Sequence, residues 1–460
     1  MGGRVDFLHA CTHNHTMTGV WAPALGKTCT AVRECRSQCC SRCATQTGRR
    51  IQSFAELVRQ EPSRVEVLTV GNSVAETANY ATSRAFIDAA RAAFPRTEFR
   101  SNVGKVLGGY EPQHFYHWMR TFPSLYSKYS LVIVQYMELV GKRHAEAAIR
   151  LLLSLPQAPT VVLVEHCVYQ VMDNCTQAFN SSQGSRKYCS DGYLRHSLRE
   201  LQMLWSLAKR YDLPVISNCK AFGELLQPKC AEDRATASWQ PRDVRQHLFY
   251  DFTHYVERGA LIAGCLLADL LLSPPHALPD HPEPDPKLPP SMEGDEKYLP
   301  AFMNTTADGS LSPNGSGWTL GAGGKGGRKM WLGADIPGAT LRFRTPACTN
   351  LALELYRHHE LAMGLIHVTI DGESFGTVDA CCSGPCVPGA HGQGMYQTVT
   401  IGESLRLAAH DVELTLVDRS RTECLLLGHR FHLVSLIGRV EARGPDYNQR
   451  IHPWVQQLPA

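Results

Sequence analysis

Val67-Leu68-Thr69-Val70-Gly71-Asn72-Ser73, running on into Val74-Ala75-Glu76-Thr77-Ala78, is the stretch that decides the fold. A β-branched, apolar run ends on a glycine. A serine then opens a segment in which Ala, Phe and Ile recur at helical spacing as far as Phe94. A strand feeding straight into a helix is one half of a βαβ unit, and it puts Ser73 at the carboxyl end of the first strand, where open α/β sheets bind ligands. A serine there has two readings. It is a favoured helix N-cap whatever the chemistry. It is also a nucleophile in waiting, because its own N–H lies at the positive end of the helix and can stabilise an oxyanion.

Working outward, four more short apolar or β-branched runs follow the first, Val65–Val70. They are Thr97–Asn102, Leu131–Tyr136, Thr160–Glu165 and Pro214–Asn218, separated by helical stretches and closed by the apolar segment Gly259–Leu272. Strands without polar alternation are those covered on both faces. Residues 51–272 are therefore predicted to form a three-layer α/β/α sandwich around a five-stranded parallel sheet. Nine prolines between Ser273 and Pro300 remove backbone donors and predict an extended linker over 273–317. From 318 to 445 the runs Ala339–Phe343, Leu351–Tyr356, Leu365–Ile370, Gln397–Ile401, Val412–Val417 and Phe431–Ile437 alternate with turns, predicting an all-β sandwich. Residues 446–460 form a tail. Residues 1–50, without an apolar periodicity, read as a disordered, Cys-rich, basic leader.

The composition fits this division. A chain of 460 residues with 43% hydrophobic and 19% charged residues can bury two cores. A net charge of +3 demands neither nucleic acid nor a membrane surface as partner. What excess there is sits in residues 1–50, with seven Lys/Arg against two Asp/Glu. Seventeen cysteines and five Asn-x-Ser/Thr sequons, at Asn14, Asn174, Asn180, Asn304 and Asn314, lean towards a secretory route. The first thirty residues nevertheless lack a basic start followed by an apolar run. The longest apolar stretch, Ala260–Leu272, is too short for a membrane span.

The second informative segment is Asp251-Phe252-Thr253-His254, just before the closing helix. A serine needs a base to take its proton, and the base needs a carboxylate to fix its tautomer. Together, in this order, Gly71-Asn72-Ser73 and Asp251 to His254 resemble the SGNH superfamily of GDSL-like lipases and esterases. The resemblance covers about residues 60–272. It implies a flavodoxin-like sheet, a catalytic triad of Ser73, Asp251 and His254, an acyl-enzyme, and no cofactor. It also implies an oxyanion hole built from the Ser73 and Gly108 amides, with Asn72 near the substrate. The family's third block ends in an Asn that completes this hole. Here Leu139 stands in its place, so the site is expected to be weakened. The β-rich end, through Trp318, Lys329-Met-Trp-Leu-Gly and Val412-Glu-Leu-Thr-Leu, resembles the C-terminal region that accompanies SGNH domains in algal and plant-like proteins. The implied partner is an ester-bearing small molecule or an acetylated glycan. The rival reading is a catalytically impaired protein of this fold that binds a glycan or a protein.

Four further signals are weaker. Cys35-x3-Cys39-Cys40-x2-Cys43 holds only one Cys-x-x-Cys step, so a zinc module is not favoured. Cys381, Cys382 and Cys386 lie in a Gly/Pro-rich stretch suited to disulfides, with Cys348 or Cys424 as partners. Gly321-Ala-Gly-Gly-Lys325 imitates a phosphate loop but lacks its first Gly and its Ser/Thr, and reads as a flexible turn. His166, after the fourth strand, is placed on the ligand edge, as a substrate contact or as a structural residue.

Overall fold

A computed structural model describes residues 45–46, 50–103, 115–116, 119, 126–136, 145–167, 204–218, 221–222, 248–249, 254–272, 288–289, 298–304, 315–323, 329–345, 347–358, 363–381, 395–418 and 429–441. The chain divides into two compact units. The first comprises mainly residues up to Pro290, and the second mainly residues from Ser291 onward.

In the first unit the described elements run β1 (Thr45–Gln46), α1 (Arg50–Arg59), β2 (Arg64–Gly71), α2 (Ser73–Ala93), β3 (Glu98–Val103), β4 (Leu131–Gln135), α3 (Ala145–Leu153), β5 (Thr160–Glu165), β6 (Val215–Ser217) and α4 (Glu257–Leu272). The five parallel strands are ordered β3-β2-β4-β5-β6, and β1 adds a short antiparallel edge beside β6. From β2 the chain steps one way, through α2, to β3. From β4 it steps the other way, through α3, to β5. Right-handed crossovers in opposite directions place their helices on opposite faces of the sheet, which gives the three layers. Strands β4, β5 and β6 are buried at every position, as the absence of alternation requires.

On one face α4 packs along α2 at close range. A Cβ added to Gly264 would lie 2.4 Å from the Thr82 carbonyl and 2.6 Å from the Ala85 Cβ, so only glycine allows this approach. The Thr82 hydroxyl donates to the Ala260 carbonyl at 3.1 Å across the same contact. Beyond α4, Pro289 is tethered to the unit. Arg150 donates to the Pro289 carbonyl and, at 2.9 Å, to the Tyr211 hydroxyl, which in turn bonds Glu146. Residues 288–289 are thus fastened, in contrast to a linker free along its whole length.

The second unit is built from two antiparallel sheets. One has the order β10-β15-β12-β13, with β10 at Thr340–Arg344, β12 at Leu365–Ile370, β13 at Glu373–Asp379 and β15 at Asp411–Val417. The other has the order β14-β11-β16-β9-β8, with β8 at Thr319–Gly323, β9 at Lys329–Ala334, β11 at Asn350–Arg357, β14 at Met395–Gly402 and β16 at Phe431–Glu441. Strand β7, Tyr298–Asn304, also pairs with β16. Their inner faces supply the core, with Leu341, Ile366, Val368, Leu414 and Leu416 from one sheet and Leu332, Leu353, Leu355, Phe431 and Leu433 from the other. β12 and β13 join through Asp371-Gly372, whose φ values of 53° and 84° suit the two-residue hairpin turn that matches strand twist.

Three differences from the sequence reading have physical causes. β7 lies inside the segment expected to be linker. Its Pro300 is tolerated because, among the described strands, β7 pairs with β16 alone, so its other edge needs no ladder donor. Gly321 belongs to β8, not to a turn. It is glycine because the Trp331 indole lies over it, with Nε1 only 2.5 Å from where a Cβ would stand. Cys348 is a buried free thiol, with burial raising its pKa to about 11, so it is not the partner of Cys381, which is disulfide-bonded.

Candidate active site at the carboxyl rim of the parallel sheet

β2 is the strand from which the chain departs in one direction while β4 begins the walk in the other, so the crevice beyond their carboxyl ends is the switch point of the sheet. The Gly71-Asn72-Ser73 turn stands at that point. Gly71 faces Gln135 in register, and a Cβ on Gly71 would lie 2.0 Å from the Gln135 carbonyl oxygen and 2.6 Å from the Ala75 Cβ. No other residue lets the strand turn into α2 so close to β4.

Asn72 is the N-cap of α2. Its backbone is extended, and its side-chain oxygen accepts from the Val74 N–H at 3.3 Å. Its carbonyl takes the N–H groups of Ala75 at 3.0 Å and Glu76 at 3.3 Å. Such a cap contributes about 1 kcal/mol. The capping role weighed for Ser73 is therefore filled by its neighbour, and Ser73 is the first residue of the helix itself. The Asn72 side chain, expected near substrate, is engaged in holding that helix end.

His254 is half-buried and immediately precedes Tyr255, which is anchored to the same rim. Phe249 and Tyr255 form an antiparallel bridge, and the Val256 N–H donates to the Leu248 carbonyl at 3.1 Å, closing the base of the loop that bears His254. Gly259 permits this closure, since a Cβ there would lie 2.5 Å from the Leu248 oxygen. The Tyr255 hydroxyl accepts from the Cys167 N–H at 2.6 Å, just beyond the end of β5. With neighbouring strands about 4.8 Å apart, the end of β5 lies about 10 Å across the rim from the end of β2.

His166 is buried and stacks on the Tyr255 ring, with centroids 4.3 Å apart and planes 27° apart. Burial pushes the Tyr255 phenol far above its ordinary range, so it stays neutral. Asp251, Gly108 and Leu139 lie outside the described residues, as does the Ser73 side chain. The structure thus brings Ser73, as the opening residue of α2, and the segment of His254 to one rim of one sheet.

Sequence reasoning missed two residues here. Tyr255 carries no spacing signal, since Cys167 is 88 positions away. Gln135 is 1% exposed at the end of β4, and neither side-chain amide atom has a hydrogen-bond partner among the described residues. Among the described residues no group of three or more His, Cys, Asp or Glu side chains converges as metal ligands do. No described helix is long and apolar enough to cross a membrane.

Neither a protein-family model nor a curated protein sequence matches the chain. Solved structures do. A two-domain esterase active on acetylated mannans superposes with a TM-score of 0.56 at 14% identity, over 86% of this chain and 96% of that one. The same kind of esterase co-crystallised with mannopentaose gives 0.54 at 14% identity, over 87% of this chain and 97% of that one. The chain thus shares the complete two-domain architecture of these esterases, an α/β/α sandwich with a parallel sheet followed by a β-sandwich.

Proposed function

We propose that the chain is a serine ester hydrolase that removes acetyl groups from a glycan. Ser73 attacks the acetyl carbonyl while His254 takes its proton, and Asp251 holds the imidazole in the tautomer that does so. The oxyanion is held by the amides of Ser73 and Gly108. His254 then returns the proton to the departing sugar hydroxyl, leaving an acetyl-enzyme. Water, deprotonated by His254, releases acetate and restores the serine. Because Leu139 stands where the resemblance calls for a third donor, the oxyanion is held less firmly, at a cost of about 3 kcal/mol in the barrier.

The observation that carries the reading is the division of labour in the turn after β2. Asn72 caps α2 and Gly71 makes room, so Ser73 opens the helix at the switch point without being needed as the cap. The shared two-domain architecture with esterases active on acetylated mannans supports the acetylated-glycan substrate. Disulfide bonding of Cys167, Cys265 and Cys381 supports an oxidising, secretory setting.

The test is acetate release from acetylated mannan and from p-nitrophenyl acetate, by the parent and by Ser73→Ala. The parent should turn over both, and the variant should lose activity by about a thousand-fold or more. Binding of mannan with no acetate release by the parent would replace this reading with the binding-protein one.

A further inference from the structure

We propose that Tyr255 is a positioning residue that bolts the loop bearing His254 to the end of β5, so that the imidazole is presented to the serine in one pose. The inference rests on the serine-hydrolase reading above.

Tyr255 is fully enclosed and held from several sides. Its ring stacks on His166 and meets Phe222 edge-on at 5.2 Å and Phe249 edge-on at 5.3 Å, with interplanar angles of 79° and 78°. Phe222 and Phe249 also meet edge-on, at 5.8 Å. The backbone of Tyr255 pairs with Phe249, and that of Val256 with Leu248. A phenylalanine would fill the same aromatic box. The hydroxyl is there for a different reason.

Strand β5 ends at Glu165, and the Cys167 N–H beyond it is buried. Buried backbone donors must be paired, and the Tyr255 hydroxyl accepts this one at 2.6 Å. A buried hydroxyl is itself costly unless bonded, so each group answers the other's need. Because Cys167 is disulfide-bonded, the anchor point on β5 is covalently braced as well. His254 is one peptide bond from Tyr255, so the pose of its imidazole is set by how rigidly Tyr255 is held. Serine hydrolysis depends on that pose, and a displacement of about 1 Å can cost a hundred-fold in rate.

The experiment compares the parent with Tyr255→Phe on p-nitrophenyl acetate, recording kcat, KM and thermal unfolding. The fluorophosphonate labelling rate of Ser73 is measured in parallel. With the bolt removed but the ring retained, kcat should fall about ten-fold or more with KM within two-fold. The fluorophosphonate labelling rate of Ser73 should fall with kcat. Unchanged kcat and an unchanged labelling rate, even in a variant of lowered melting temperature, would mean that Tyr255 only packs, and would overturn the proposal. Should Tyr255→Phe not fold, His166→Gln, which removes the stacked ring, is read by the same split of kcat against KM. Labelling separates the two claims. A parent that does not react at Ser73 sinks the hydrolase reading itself, whereas a reactive parent with an equally reactive, equally fast Tyr255→Phe sinks only the positioning role.

Discussion

Replacing Gly71 by alanine tests the turn after β2 more sharply than any other single change. The new Cβ would stand 2.0 Å from the Gln135 carbonyl oxygen and 2.6 Å from the Ala75 Cβ, whereas ordinary contacts begin at 3.4 Å. Neither neighbour is the far end of a flexible side chain. One is the backbone of a central strand buried along its whole length, and the other is in the first turn of α2. Something must therefore retreat by roughly 1 Å or more in a close-packed interior. Overpacking of this kind costs about 3 kcal/mol. For a unit of this size that corresponds to a melting temperature lower by roughly 6–12 °C. If instead the turn gives way, residue 73 moves with it, and about a hundred-fold in kcat is at stake. The assay pairs a thermal melt, followed by circular dichroism, with kcat/KM on p-nitrophenyl acetate. A Gly71→Ala protein that melts within about 1 °C of the parent and turns over at the parent rate would refute the geometry from which the site is built.

Two further outcomes follow from buried polar groups. Gln135→Met exchanges an amide with no hydrogen-bond partner among the described residues for an apolar side chain of similar volume, and should raise stability by about 1–2 kcal/mol in denaturant melts. A loss of stability there would mean that the amide is satisfied by a group outside those residues. In the second unit, Asp371 accepts from His410 Nδ1 at 2.6 Å and from the Asp411 N–H at 2.8 Å, and these bonds hold its carboxyl below the usual carboxylate range. A carboxyl with a depressed folded-state pKa contributes stability above its unfolded value of about 4. That contribution is lost as the pH falls through the folded value. Asp371→Asn should therefore weaken the second unit at pH 7 and flatten its stability below pH 4, as read from denaturant midpoints across that range. Equal acid sensitivity of parent and variant would contradict the pairing.

The parallel sheet was legible because its strands are buried on both faces and read as unbroken β-branched runs. Thr160–Glu165 has the bounds predicted for it, Leu131–Gln135 differs from its predicted bounds by one residue at one end, and the other three strands differ by one residue at each end. In the sandwich, Asp411–Val417 announces itself by strict alternation, with every second residue buried. What escaped had no such pattern. β13 is an exposed, polar edge strand, signalled only by the Asp371-Gly372 turn before it. Glycines mask β8, since the space they leave is filled by an indole from the neighbouring strand. β7 is hidden among prolines. At the rim, the order of Ser73 and His254 along the chain was enough to single them out. Tyr255 carries no signal in the sequence, and Gln135 could be placed near the site but given no role, because what defines them is a partner gained or lacking in three dimensions.

The central claim is that Ser73 is a nucleophile activated by His254. The most direct measurement is the intact mass of the protein after exposure to a fluorophosphonate, with the adduct then mapped to a peptide. A single adduct on the peptide containing Ser73, absent from Ser73→Ala and formed far more slowly by His254→Ala, is the expected result. No adduct in the parent, or one on another residue that survives Ser73→Ala, would contradict the account.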